Sequence, residues 1–234
     1  MNVYLYQNNT EKILKNDYIG EYWWAPWANT LAYYPLTATT TTQDKSWNWK
    51  NMTNVNSVSF WTYWWVSCGS FSLTSSTYLL LDETLWWWAH AFTVSIRLYR
   101  ANNDSKIIFW SAGSWSQNYW IQLYTVNWVI TYNWYSSSPV TTSTTIPSAS
   151  WHNVIVTYNW TTIKVYMDWN TTPISSTNKT LNIANVRTVI WWDVNTSSYS
   201  RWDWYLSEAI FENKEWTTSE ISDYYNQTKS NYWL

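Results

Sequence analysis

Tryptophan stands in this chain where a polypeptide of short strands has to turn. The 234 residues include 25 Trp and only 3 Gly, whereas Gly ordinarily makes up about 7% of a protein. Tight turns need residues that accept a positive φ, and glycine is the usual supplier. Trp160 follows Asn159 between two strand patterns, and Trp169 follows Asp168 after the second of them. Asn-Gly and Asp-Gly at those places would make type I′ turns. Ser46-Trp47-Asn48-Trp49, Trp64-Trp65, Trp86-Trp87-Trp88 and Trp191-Trp192 lie in similar surroundings. A bulky residue at positive φ is an outlier, and here it would recur many times. The pattern predicts that most of these positions are glycine in the native protein, with UGA codons that the source reads as glycine standing as Trp. A tryptophan-rich, sugar-stacking surface is the alternative, but doublets and triplets in turns do not make one face. Trp151 and Trp216 each open an element and read as genuine tryptophans, and Trp24 and Trp27 beside Pro26 are further candidates.

What lies between the turns alternates as strands do. In Phe92-Thr93-Val94-Ser95-Ile96-Arg97-Leu98 apolar and polar residues take strict turns, the period of a half-buried strand. Val154 to Tyr158, a two-residue turn and Ile163 to Met167 read as a β-hairpin. Further strands are expected at 31–36, 58–60, 78–81, 106–109, 119–124, 129–132 and 205–211, with a short one at 3–6. One helix is convincing. Thr217 with Glu220 three residues on makes a capping box, and Ile221, Tyr224 and Tyr225 form an apolar stripe behind it. Many short strands and one terminal helix predict an all-β antiparallel sandwich. Residues 1–30 read as a polar N-terminal extension, a docking arm or leader, and 31–234 as a single domain.

Charge excludes some partners. Thirteen Lys and Arg stand against 15 Asp and Glu, for a formal net charge of −2, with no basic block for nucleic acid. No apolar run reaches the ~20 residues of a membrane span, and the N-terminus does not read as a signal peptide. Cys68 is the only cysteine, so no intrachain disulfide is expected.

With the suspect tryptophans read as glycine, four stretches carry a family resemblance. They are Leu31 to Leu36 with Asp44-Lys45-Ser46-Trp47-Asn48-Trp49, then Phe92-Thr93-Val94-Ser95-Ile96, then Trp151-His152-Asn153-Val154 through Tyr166-Met167-Asp168, and finally Tyr205 to Phe211 ahead of Ser219-Glu220-Ile221. In this order they resemble the laminin-G-like jelly-roll domains of the concanavalin A-like lectin/glucanase superfamily. The resemblance implies a concanavalin A-like antiparallel jelly-roll sandwich with one short C-terminal helix. It also implies a non-catalytic module that binds a glycan or surface protein, extracellular, on a cell surface or on a virion, where an oligomer is an option. A structural phage particle or tail component is the alternative, and a glucanase-type glycoside hydrolase a second.

The enzyme reading is weak on its own residues. A glycosidase needs two carboxyl groups roughly 5 to 9.5 Å apart, and Glu208 and Glu212, four strand residues apart, would be about 13 Å apart. Asp82 and Glu83 are adjacent and would point to opposite faces. Cys68 with His90 or His152 reads more simply as a buried thiol and a strand histidine. No catalytic residue is assigned. Candidate sugar-stacking residues are Tyr132, Tyr135 and Tyr199. Lectin relatives hold calcium in Asp- and Asn-lined loops, which makes Asp193, Asn195 and Asp203 candidate calcium ligands. The same residues are common in turns for reasons of their own.

Overall fold

The computed structural model describes residues 4–7, 10–13, 29–46, 48–63, 65–71, 77–81, 91–100, 107–112, 120–126, 129–133, 140–147, 149–168, 170–178, 187–190 and 204–229. Near the N-terminus β1 (Tyr4–Gln7) and β2 (Thr10–Ile13) pair with each other as a two-stranded sheet. The strands that follow are β3 (Thr30–Tyr34), β4 (Thr53–Val55), β5 (Ser59–Tyr63), β6 (Val66–Phe71), β7 (Tyr78–Leu81) and β8 (Phe92–Arg100). Next come β9 (Ile107–Ala112), β10 (Trp120–Val126), β11 (Val129–Asn133), β12 (Val140–Thr145) and β13 (Trp151–Tyr158). Last are β14 (Thr162–Met167), β15 (Ser175–Asn178), β16 (Arg187–Ile190), β17 (Trp204–Glu212) and the helix α1 (Thr218–Thr228).

Two large antiparallel sheets result. One runs β12-β11-β10-β9-β16-β7-β4, and the other β15-β14-β13-β8-β17-β6-β5, with β3 also paired to β17. Sequential hairpins alternate with pairings between distant strands, as in β8 between β13 and β17. This is the all-β jelly-roll sandwich expected of the strand pattern.

The alternation in β8 shows why the sheets face each other. Phe92, Val94, Ile96 and Leu98 enter a core shared with Val154, Val156, Leu206 and Phe211, and with Leu79, Leu81 and Ile190 of the opposite sheet. Burying each such side chain contributes ~1.5–3 kcal/mol. The expectation of a half-exposed strand fails on the other face. Thr93, Ser95 and Arg97 are buried too, because α1 and its approach lie over them. Tyr33, Ile155, Tyr166 and Ile210 of the sheet pack there against Trp216, Ile221 and Tyr224.

The hairpin forms in the expected register, Val154↔Met167 through Tyr158↔Ile163. Its turn lies one residue further on than an Asn-Gly reading places it. The Asn159 N–H donates to the Thr162 carbonyl, so Trp160 and Thr161 are the two central residues. Only Trp160 of that pair has positive φ, at 81°, the pattern in which glycine takes the first central position. The first core strand ends at Tyr34, earlier than the expected Leu36, whose φ is 32°.

The capping box is present as read. The Glu220 N–H donates to Thr217 Oγ1 at 3.2 Å, and the Thr217 N–H donates to Glu220 Oε2 at 2.9 Å. Lys214 also pairs with Glu220. Burial pushes the Glu220 carboxyl upward, but hydrogen bonds from Lys214 and Thr217 outweigh it and hold the group below its ordinary 4.5. A depressed folded value means this stabilisation is present above the unfolded value and is lost as pH falls through the folded one. In Glu220→Gln the cap can persist without a charge. The difference in thermal midpoint between the two proteins should therefore shrink as pH drops below about 4.5. A difference that stays constant down to strong acid would remove Glu220 from this role.

Candidate functional site

An aromatic cluster occupies the outer face of the β8-containing sheet, beyond the end of the ground covered by α1. It is assembled by alternation. In β8, β13 and β17 the residues Leu98, Val154 and Leu206 point into the sandwich, so Tyr99, Trp151 and Tyr205 emerge on the opposite side. The β5–β6 hairpin adds Trp61 and Tyr63, with Val66 and Cys68 packed below.

Tyr63 stacks on Tyr205 with ring centroids 4.1 Å apart and meets Tyr99 edge-on at 4.9 Å. Trp61 meets Tyr205 at 5.8 Å, and Tyr99 meets Trp151 at 5.6 Å. The edge-on contacts have the spacing of favourable aromatic pairs, worth ~0.5–1.5 kcal/mol each beyond burial, and the Tyr63–Tyr205 stack is closer still. Tyr99, Tyr205 and Trp151 are buried, Tyr63 is half-buried, and Trp61 is 47% exposed. The accessible edge of the cluster is therefore Tyr63 and Trp61. Burial, together with a hydrogen bond to Tyr63, pushes the Tyr99 hydroxyl up to about 12. It stays a neutral phenol at physiological pH, suited to hydroxyl partners.

Cys68 lies under this cluster and is inert. Burial pushes its thiol up to about 12, against a smaller opposing effect of a backbone hydrogen bond at Tyr63, so little thiolate exists at neutral pH.

The two glutamates of β17 are occupied elsewhere. Glu208 Oε1 accepts from the Tyr224 hydroxyl at 2.8 Å, while Glu212 accepts from Thr30 Oγ1 at 3.1 Å and from the Trp216 indole. Burial raises the Glu212 carboxyl despite these bonds. Both groups hold α1 and its approach to the sheet.

His152 joins Ser150 to Asp168. Its Nε2 is 2.7 Å from Ser150 Oγ, and its Nδ1 is 3.1 Å from Asp168 Oδ2. The connectivity is that of an acyl-transfer relay, but its hydrogen bonds fasten the hairpin. Asp168 Oδ1 accepts the Asn153 N–H, the Asp168 N–H donates to the Asn153 carbonyl, and Asp168 sits at φ 56°. The start of β13 is thereby tied to the end of β14.

Of the sequence candidates, Tyr132 lies on β11 in the other sheet, opposite Leu123 and Val140. Tyr135, Tyr199, Asp193, Asn195 and Asp203 lie outside the described residues. Among the described residues no group of three or more His, Cys, Asp and Glu gathers to hold a metal, and no helix is long and apolar enough to cross a membrane. The Tyr63–Tyr99–Tyr205 cluster was missed. Its members come from three distant strands, and only strand register brings them together.

No model of a known protein family matches the chain, and no curated protein matches it in sequence. Solved structures do resemble it. One is domain 4 of AbnA, an extracellular arabinanase of the GH43 class from Geobacillus stearothermophilus, in complex with arabinotriose. It is 16% identical, with a TM-score of 0.63 over 83% of this chain and 97% of that one. Another comes from botulinum neurotoxin type C, whose way into cells depends on interaction with two ganglioside molecules (12% identity, TM-score 0.64, 85% of this chain). A third is the binding domain of Paraclostridial Mosquitocidal Protein 1 (13% identity, TM-score 0.65, 85% of this chain). The chain spans about half the length of these two toxin structures, 51% and 52%. At such identities the likeness establishes the jelly-roll fold.

Proposed function

We propose that this chain is a non-catalytic, laminin-G-like module of the concanavalin A-like class that binds a glycan on the outer aromatic patch. The observation that carries this reading is the stack of Tyr63 on Tyr205, flanked by Tyr99 and the half-exposed Trp61. An aromatic ring offers an apolar face to the C–H side of a sugar, and a phenol offers a hydroxyl to its rim. Ring faces and phenol hydroxyls side by side suit a neutral oligosaccharide. The fold likeness to an arabinotriose-bound domain, over nearly all of that domain, supports a sugar ahead of a surface protein.

In this reading residues 1–30 are an arm and 31–234 the module, displayed outside the cell or on a virion, where copies assemble into an oligomer. Tyr132, which lies on the other sheet, and Tyr135 and Tyr199 are taken as sugar contacts apart from this patch, and Asp193, Asn195 and Asp203 as a calcium site. The tryptophan-filled turns fit a source that reads UGA as glycine.

An array of neutral oligosaccharides, arabino-oligosaccharides included, followed by calorimetric titration, tests the reading. Wild type should bind, and Tyr63→Ala should weaken binding about tenfold or more, equal to ~1.4 kcal/mol. Tyr63 is half-buried at the edge of the cluster, so the variant should keep its fold and its circular dichroism. Silence across the array, or full affinity in Tyr63→Ala, would sink the assignment.

A further inference from the structure

Five of the described tryptophans fall into two physical classes. Trp49, Trp65 and Trp160 have φ values of 57°, 67° and 81°, all in the left-handed region. Their side chains are 77%, 85% and 51% exposed. A side chain with a Cβ strains that backbone, and glycine does not. Trp151 and Trp216 have no such backbone, and both are buried. Trp151 packs on Tyr99, while Trp216 packs on Tyr224 and donates its indole N–H to Glu212.

In the first class it is the backbone that has a task. At position 49 the left-handed residue precedes Lys50, whose N–H reaches Asp44 Oδ2 at 2.9 Å. The same carboxylate accepts from the Tyr33 N–H at 2.9 Å, the Ser46 N–H at 2.8 Å and Ser46 Oγ at 2.7 Å. The turn at 49 thus closes a loop around a buried Asp44. At 65 the residue completes the two-residue connection between Tyr63 and Val66, which are paired. At 160 it is the first central residue of the β13–β14 turn.

We propose that glycine occupies positions 49, 65 and 160 in the native protein, encoded by UGA, whereas 151 and 216 are true tryptophans encoded by UGG. This deepens the reading of the chain as a module from a recoding source. Among the described residues it also removes the three most exposed tryptophans from any ligand surface, leaving the Tyr63 patch.

Peptide mapping by tandem mass spectrometry of the protein from its natural source, read beside the gene's codons, tests the assignment without reference to a ligand. Expected are glycine at 49, 65 and 160 over UGA, and tryptophan at 151 and 216 over UGG. Tryptophan in any of the first three peptides, or a UGA codon at 151 or 216, overturns it. A second arm uses recombinant chains. The W49G/W65G/W160G variant should melt roughly 6–12 °C above the tryptophan-bearing chain, from three separate relieved strains. W151G and W216G should each melt lower. A triple variant with an unchanged or lower midpoint overturns the proposal even if glycan binding is found, and a failed glycan array leaves the peptide map to stand by itself.

Discussion

Replacing Trp216 by alanine should cost about 3–5 kcal/mol of stability, the range for deleting a large buried aromatic, and should loosen α1 from the sheet. Trp216 is among the largest fully buried side chains, and it lies where β17 leads into the helix. Its ring packs on Tyr224 at 5.2 Å, within the cluster that holds Tyr33, Ile155, Ile210 and Ile221. Its backbone N–H donates to Thr93 Oγ1 at 2.9 Å, and that hydroxyl donates in turn to the Lys214 carbonyl at 2.8 Å. The backbone bonds should survive the substitution. The cavity and the unpartnered side of Glu212 should not be repaired, since Glu212 is itself buried with Thr30. Urea denaturation should show the lowered midpoint, and hydrogen exchange should show earlier opening at 218–228 than in the β8–β13 ladder. A loss below ~1 kcal/mol, with unchanged exchange in the helix, would mean that Trp216 merely fills space.

This dock marks the boundary of what the residues disclose in order. The Thr217–Glu220 box is local and was legible, as were the β8 alternation and the Val154–Met167 pairing, since each depends on residues within one or two elements. β6 was not read as a strand because Ser67-Cys68-Gly69-Ser70 carries little apolar periodicity. β12 and β15 are almost wholly Ser, Thr and Asn, and sequences of that kind suit turns as well as strands. The polar face of β8 looked solvent-facing because nothing local announces that a helix some 120 residues later will cover it. The same limit hid the aromatic patch. Tyr63, Tyr99 and Tyr205 become neighbours only through the β5–β6, β6–β17 and β17–β8 registers. The tyrosines named from sequence were chosen by residue type, and type says nothing about which strands adjoin. Turn chemistry needs no tertiary information, so the strain at 49, 65 and 160 was announced by the local sequence.

Glu208→Ala should be about as damaging as the loss of Trp216, ~3–5 kcal/mol, for an electrostatic reason. Glu208 lies opposite Arg97 across β17 and β8, and both are buried, Arg97 at 1% exposure. Arg97 donates to Thr228 Oγ1 at 2.9 Å and lies 5.6 Å over the ring of Tyr224. Tyr224 passes the connection on, its hydroxyl donating to Glu208 at 2.8 Å. Burial raises the Tyr224 hydroxyl well above its ordinary value, with Arg97 lowering it and Glu208 raising it again. The tyrosine therefore stays a hydrogen-bond donor, and Glu208 is the acidic side chain in register with the buried guanidinium. Removing Glu208 leaves Arg97 with a charge that the fold has taken out of water. Replacing both at once removes the cause of the penalty, so Arg97→Met with Glu208→Leu should recover most of the loss and fall well short of the sum of the single variants. Chemical denaturation of the two singles and the double closes the cycle. A double variant as unstable as the sum would show that shape, not charge balance, is what Arg97 and Glu208 supply beneath the helix.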